Sequence, residues 1–205
     1  MMTSFLPTDI AELICTRISH DLIGNIGAIS NAMELLNEDP SDISDIKPLL
    51  ENSSSLLAAR MKFFRLAFGL KNAAPKEIGE LNDIINAYLL TLGNPKTPIM
   101  MKSNLQNISL YKIVMLSIMA LSDVFVRGGE IRVKETDDAL SFEAVSDFDL
   151  SVSKLENIER AMEGVIPEEN PALLAPIVYL LSFLKESGIK ISLKYKANQA
   201  FLSVK

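Results

Sequence analysis

The chain has a single histidine, His20, set among residue types that suit one kind of chemistry. Arg17 lies one helical turn before it, Asp21 follows directly, and Gly24 and Gly27 lie one and two turns after. Any imidazole step must therefore use His20. A neutral imidazole is a competent nucleophile near pH 7, and a phosphoryl group on its nitrogen stays reactive enough to be handed on, whereas a serine or threonine ester would trap it. Asp21 is suited to orient the ring through its other nitrogen, and Arg17 to stabilise phosphate charge during transfer. The plainer readings of these two are a solvated acid and an ordinary surface arginine.

The element that must present His20 is a helix predicted over Thr8 to Asn37, opened by Asp9 and Glu12 as a capping box with Pro7 just outside. Ile10, Ile14, Ile18, Leu22, Ile26, Ile29, Met33 and Leu36 form a continuous apolar stripe. At about 100 degrees per residue the stripe averages about 20 degrees and His20 falls at about 200 degrees, so the imidazole faces away from it. Leu13 and Ile23 are uncovered apolar neighbours on that outer surface. Two glycines inside a helix each forfeit roughly 1 kcal/mol relative to alanine, which suggests that another backbone must come close there. A receiver domain bringing a phosphorylated aspartate to the imidazole needs such a shelf.

The run Asn37 to Ser41 breaks the pattern, and a second helix is predicted from about Asp45, with Pro48 in its first turn. Its stripe is Ile46, Leu49, Leu50, Leu56, Leu57, Phe63, Phe64, Ala67 and Leu70, ending at Gly69 and Lys71-Asn72. In the resulting antiparallel hairpin, Lys62 and Arg65 fall near the level of His20, placed to meet the acidic rim of a receiver's phosphorylation pocket; a solvated basic face is the plainer reading. Arg60 falls within the stripe, so it must extend its head to water or find a carboxylate. Two helices cannot enclose two such stripes, and pairing with a second hairpin predicts a homodimeric four-helix bundle. The alternative cover is the C-terminal part of the chain folding back over the hairpin.

Beyond Ala73-Ala74-Pro75 the pattern alternates. Helices are predicted near Lys76 to Leu92, Ser109 to Phe125, Val152 to Met162 and Pro171 to Glu186, with strands near Ile99 to Lys102, Glu130 to Glu135, Leu140 to Val145, Ile189 to Tyr195 and Ala200 to Val204. The fold class is thus α+β, with a hairpin over residues 1–73 and an α/β sandwich over 76–205, its helices on one face of a mixed or antiparallel sheet. With 48% hydrophobic and 22% charged residues, the chain can bury a substantial core. A net charge of −6 opposes non-specific nucleic-acid binding. The one cysteine, Cys15, excludes an intramolecular disulfide and a cysteine-built zinc site. No apolar run is long enough to cross a bilayer and no secretory signal is visible, so a cytoplasmic protein without membrane partners is expected.

The run Ser19-His20-Asp21-Leu22-Ile23-Gly24-Asn25-Ile26-Gly27-Ala28-Ile29, followed by Asn31 and Glu34-Leu35-Leu36, resembles the H-box of histidine kinases. It is closer still to ChpT-type histidine phosphotransferases, which Arg17 and the basic-aromatic run Arg60 to Gly69 also match. The Gly128-Gly129-Glu130-Ile131-Arg132-Val133 turn and strand resembles their C-terminal part. This resemblance implies a dimerisation and phosphotransfer hairpin joined to a degenerate kinase-type ATPase domain. It also implies His20 as phosphoacceptor, and as partners the receiver of a hybrid kinase and downstream response regulators. No cofactor is expected in the chain itself, any Mg²⁺ belonging to the receiver's acidic pocket. In this sequence Asn25 stands where such kinases usually carry a helix-kinking proline, and Gly24 where many carry the small polar residue of phosphatase chemistry.

A kinase of this class binds ATP through an asparagine-bearing helix and glycine-rich loops. The corresponding helix, Ser109 to Phe125, has no asparagine, and Ser146-Asp147-Phe148-Asp149 lacks the glycine that permits close backbone approach to nucleotide. A phosphorelay transferase without ATP binding is therefore expected. The competing classes are a dimeric adaptor that binds receivers or kinases without accepting phosphate, and an ATP-dependent kinase.

Overall fold

The computed structural model describes residues 5–39, 41, 43–70, 74–185 and 187–205. Two long helices, α1 (Pro7–Glu38) and α2 (Ile43–Ala67), lie against each other as a hairpin. Pro7 is the first helical residue, where a missing N–H costs nothing. The Asp9 carboxylate, three residues into the helical end, accepts from the Leu6 N–H at 3.3 Å, so Asp9 caps from inside the first turn rather than opening the helix with Glu12. Because α2 begins two residues before the expected Asp45, Pro48 sits one turn in, where its absent N–H removes an intrahelical bond. A Cβ at Gly69 would collide with the Arg65 carbonyl, and the buried Lys112 ammonium donates to the Gly69 carbonyl at 2.6 Å, closing the helix end. Pro40, Lys71, Asn72, Ala73 and Glu186, which entered the predicted turns and helix ends, lie outside the described residues.

The remainder runs α3 (Ile78–Leu89), β1 (Ile99–Asn104), α4 (Tyr111–Ser122), β2 (Gly129–Thr136), β3 (Ala139–Val145), α5 (Val152–Met162), α6 (Ala175–Leu184), β4 (Ile191–Lys196) and β5 (Gln199–Val204). A 3-10 turn, Pro171–Leu174, occupies the start of the helix expected from Pro171. The five strands are ordered β1-β2-β3-β5-β4, with only β1 and β2 parallel. Register brings Val133, Phe142, Leu202 and Leu193 into one cross-strand row, and Met101, Ile131, Ala144 and Ala200 into another. These rows make the buried face, as the alternation of buried and accessible positions in β2, β3 and β5 requires. The mixed sheet with helices packed on it is the α+β class that the sequence predicts.

Every residue of α4 is buried, the state expected of a helix with apolar residues on all its faces. The core continues from α4 and the sheet into the last turns of α2, where the Phe63 ring stacks on Tyr88 at 3.8 Å and 14 degrees. The C-terminal part does fold against the hairpin, since α6 and the Pro171–Leu174 turn pack on α1 while α3 and α4 pack on α2. It covers only one flank. Ile26, Met33, Ile43, Leu49 and Met61 stay exposed on the hairpin.

Candidate active site around His20

His20 sits midway along α1, and its side chain is 80% exposed. Its Nδ1 lies 3.5 Å from Oδ1 of Asp21, slightly long for a hydrogen bond. Ile23 is 68% exposed beside it, Gly24 and Gly27 have open space where a Cβ would project, and Lys62 and Arg65 on α2 are exposed. The outward surface predicted from the helical wheel is present.

Two residues depart from that reading. Arg17, expected beside the imidazole and free to meet phosphate, is instead enclosed, with 3% of its side chain exposed. Its Nε donates to Asp21 Oδ2 at 2.7 Å, while Nη1 and Nη2 donate to Asp123 Oδ2 and Oδ1 at 2.6 and 2.9 Å. The wheel counted everything away from the stripe as open. In fact α6 and the Pro171–Leu174 turn cover the flank near about 280 degrees, where Ile10, Arg17 and Asp21 fall. Leu13, expected on the outer surface, is half-buried against the core for the same reason.

Arg60 finds its partners in carbonyls rather than in a carboxylate. Its Nε donates to the Thr91 hydroxyl at 3.0 Å, Nη2 to the Thr91 carbonyl at 2.8 Å, and Nη1 to the Asp21 carbonyl. The backbone next to His20 is thereby tied to the residues just after α3. Lys154 donates to the Asp123 carbonyl at 2.7 Å, fixing the end of α4 from α5. Burial works against the charge of Arg17, but attraction to Asp123 and the hydrogen bonds between them outweigh it and hold its pKa above the ordinary arginine value. Burial pushes the Asp123 carboxyl up, and Arg17 pulls it back toward the ionised form. The nearby Tyr88 hydroxyl is fully buried and has no hydrogen-bond partner among the described residues, and burial raises its pKa.

Asp123, Thr91 and Lys154 are site residues that motif reading missed. One signal was available for Asp123: an acid at the C-terminal end of a largely apolar helix opposes the macrodipole and calls for a cation. The loop after β3 is closed upon itself. The Ser146 hydroxyl donates to the Gly128 carbonyl at 2.8 Å and accepts from the Phe148 N–H at 3.2 Å, and the Arg127 guanidinium lies 4.7 Å from the Phe148 ring centre. Among the described residues no group of three or more His, Cys, Asp or Glu side chains is placed to hold a metal ion, and no helix is long and apolar enough to cross a membrane.

No family model matches the chain. Protein phosphotransferase ChpT of Brucella abortus (strain 2308) is 38% identical over 82 residues, which are 39% of this chain and 39% of that protein, so the match spans well under half of the curated relative. A solved bacterial phosphotransferase structure superposes over 100% of both chains with a TM-score of 0.77 and 25% identity. A histidine kinase domain from the blue-light activated kinase EL346 of Erythrobacter litoralis aligns over 97% of this chain and 93% of its own, with a TM-score of 0.44 and 11% identity.

Proposed function

From a chain that resembles ChpT-type phosphotransferases in part of its sequence and a bacterial phosphotransferase in its whole fold, we propose a histidine phosphotransferase of a phosphorelay, with His20 as acceptor. The observation that carries the reading is the exposed ring of the only histidine, with a carboxylate at its inner nitrogen. Nε2 attacks the phosphorus of an aspartyl phosphate, the N–P bond forms, and the P–O bond breaks with its electron pair leaving on the aspartate. Nδ1 keeps its proton, which Asp21 accepts as a hydrogen bond while the ring bears positive charge. Transfer to a second receiver reverses these steps. The donors and acceptors are receiver domains of a hybrid kinase and of response regulators, and Mg²⁺ sits in their acidic pockets.

Incubation with a radiolabelled phospho-receiver should place acid-labile, alkali-stable label on this chain. No such label would leave the adaptor as the better account. ATP is not a substrate in this reading: Phe148 occupies the loop where a phosphate cradle needs glycine, and its N–H is already spent on Ser146. Residues 1–73 carry the acceptor and the dimer seam, and residues 76–205 hold the inner flank of α1.

Gly24 separates a packing role from a docking role, because among the described residues a Cβ there would meet no neighbouring element. Gly24→Ala should stabilise α1 by about 1 kcal/mol, raising Tm by roughly 3 °C, yet slow transfer several-fold as the added methyl meets the receiver. A faster or unchanged transfer would remove the shelf from the proposal. The homodimer rests on the apolar residues that the C-terminal part leaves uncovered. Light scattering should find a dimer in the parent and a folded monomer when Ile26 and Met33 are both changed to Glu. A parent that stays monomeric at high concentration would sink the bundle.

A further inference from the structure

We propose that Asp123 is a positioning residue for His20: by engaging the outer nitrogens of Arg17 it leaves one oxygen of Asp21 free to take the ring Nδ1–H, which turns Nε2 outward to the phosphoryl donor. The inference rests on the reading of His20 as acceptor. A guanidinium facing a single carboxylate forks onto both oxygens. Arg17 does this with Asp123, contacting Oδ2 at 2.6 Å and Oδ1 at 2.9 Å, and spends only Nε on Asp21, at Oδ2. Asp21 Oδ1 is therefore left unclaimed on the side of the imidazole, 3.5 Å from Nδ1.

Both carboxylates stand on fixed backbone. The Asp21 carbonyl accepts from Arg60 and the Asp123 carbonyl from Lys154 at 2.7 Å, so neither acid can follow Arg17 if the guanidinium turns. The ring itself is held by nothing else: among the described residues Asp21 is the only side chain paired with it. With the acid of residue 123 removed, Arg17 has one carboxylate left and forks onto it. The free oxygen is then lost to His20, and the exposed ring returns to the Nε2–H tautomer that imidazole prefers in water, with the attacking lone pair turned inward.

The single histidine makes this directly readable, because a ¹⁵N-labelled full-length chain gives one pair of ring nitrogen resonances, whose shifts report the tautomer of the neutral ring. The wild type should show the Nδ1–H form. Asp123→Asn should move the ring toward the Nε2–H form and lower the transfer rate at saturating phospho-receiver by about tenfold, with receiver affinity unchanged. Asp123→Glu should recover most of both. If Asp123→Asn does not fold, Asp123→Ser removes the second acid with a smaller side chain and should shift the ring in the same way. A ring tautomer identical to wild type in a folded variant that lacks the acid at position 123 overturns the inference even where wild type accepts label. Failure of the wild type to accept label overturns the relay, and the ring spectrum then stands as a separate result.

Discussion

Replacing His20 by glutamine should reduce phosphoryl acceptance to background, a loss of at least about 10⁴-fold, while leaving the fold intact. The size follows from the role, since a covalent acceptor has no partial substitute and the sequence offers no second imidazole. The intact fold follows from position: with 80% of the side chain in solvent, the exchange removes almost no packing and should change stability by less than about 0.5 kcal/mol. Phosphotransfer from labelled receiver, thermal melting and receiver affinity on the same preparation give three separate readings. Lost label with unchanged melting and binding is the expected pattern. Equal labelling of the two proteins would place the acceptor elsewhere, and labelling of neither, with undiminished binding, would favour an adaptor.

Periodicity is local and legible in the sequence, whereas a distant partner leaves no mark near the residue it will bind. The hairpin stripes, the alternation in β2 and β3 and the apolar run of α4 are each written within a window of a dozen residues, so those elements were legible close to their ends. Exposure of His20 and Ile23 follows from the wheel, and that of Lys62 and Arg65 agrees with their expected place on the second helix. The burial of Arg17 does not follow from it, because its partner Asp123 is 106 residues away and the flank they share exists only after α6 and the Pro171–Leu174 turn have docked. Arg60 stands out as a charge in an apolar stripe, yet its partners are two carbonyls and a hydroxyl, and carbonyls carry no sequence signature. A wheel drawn for one helix assumes one packing face; α1 has two, and its chemistry sits on the boundary between the second face and solvent.

That boundary sets the second large effect, which is on stability. Arg17→Met should cost about 3 kcal/mol near neutral pH, lowering Tm by roughly 10 °C, because it strands the Asp123 carboxylate with 15% of its side chain exposed and takes a partner from Asp21. The estimate lies at the low end for a broken buried pair, since Asp123 keeps an edge to water. The penalty should shrink on acidification. Burial already raises the Asp123 pKa, and removing Arg17 removes the main influence that lowers it, so in the variant the folded state binds a proton more tightly than the unfolded state does. Stability then falls as pH rises through the folded-state pKa, and the deficit relative to wild type is larger at pH 7.5 than at pH 5. Denaturant melts at the two pH values check the sign. Changing Asp123 to Leu in the same molecule should recover most of the loss, because two apolar side chains in that space leave no buried charge unpaired. A single variant within 1 kcal/mol of wild type at pH 7.5 would mean that the Arg17–Asp123 pair is solvated in solution, and the hold on Asp21 beside His20 would go with it.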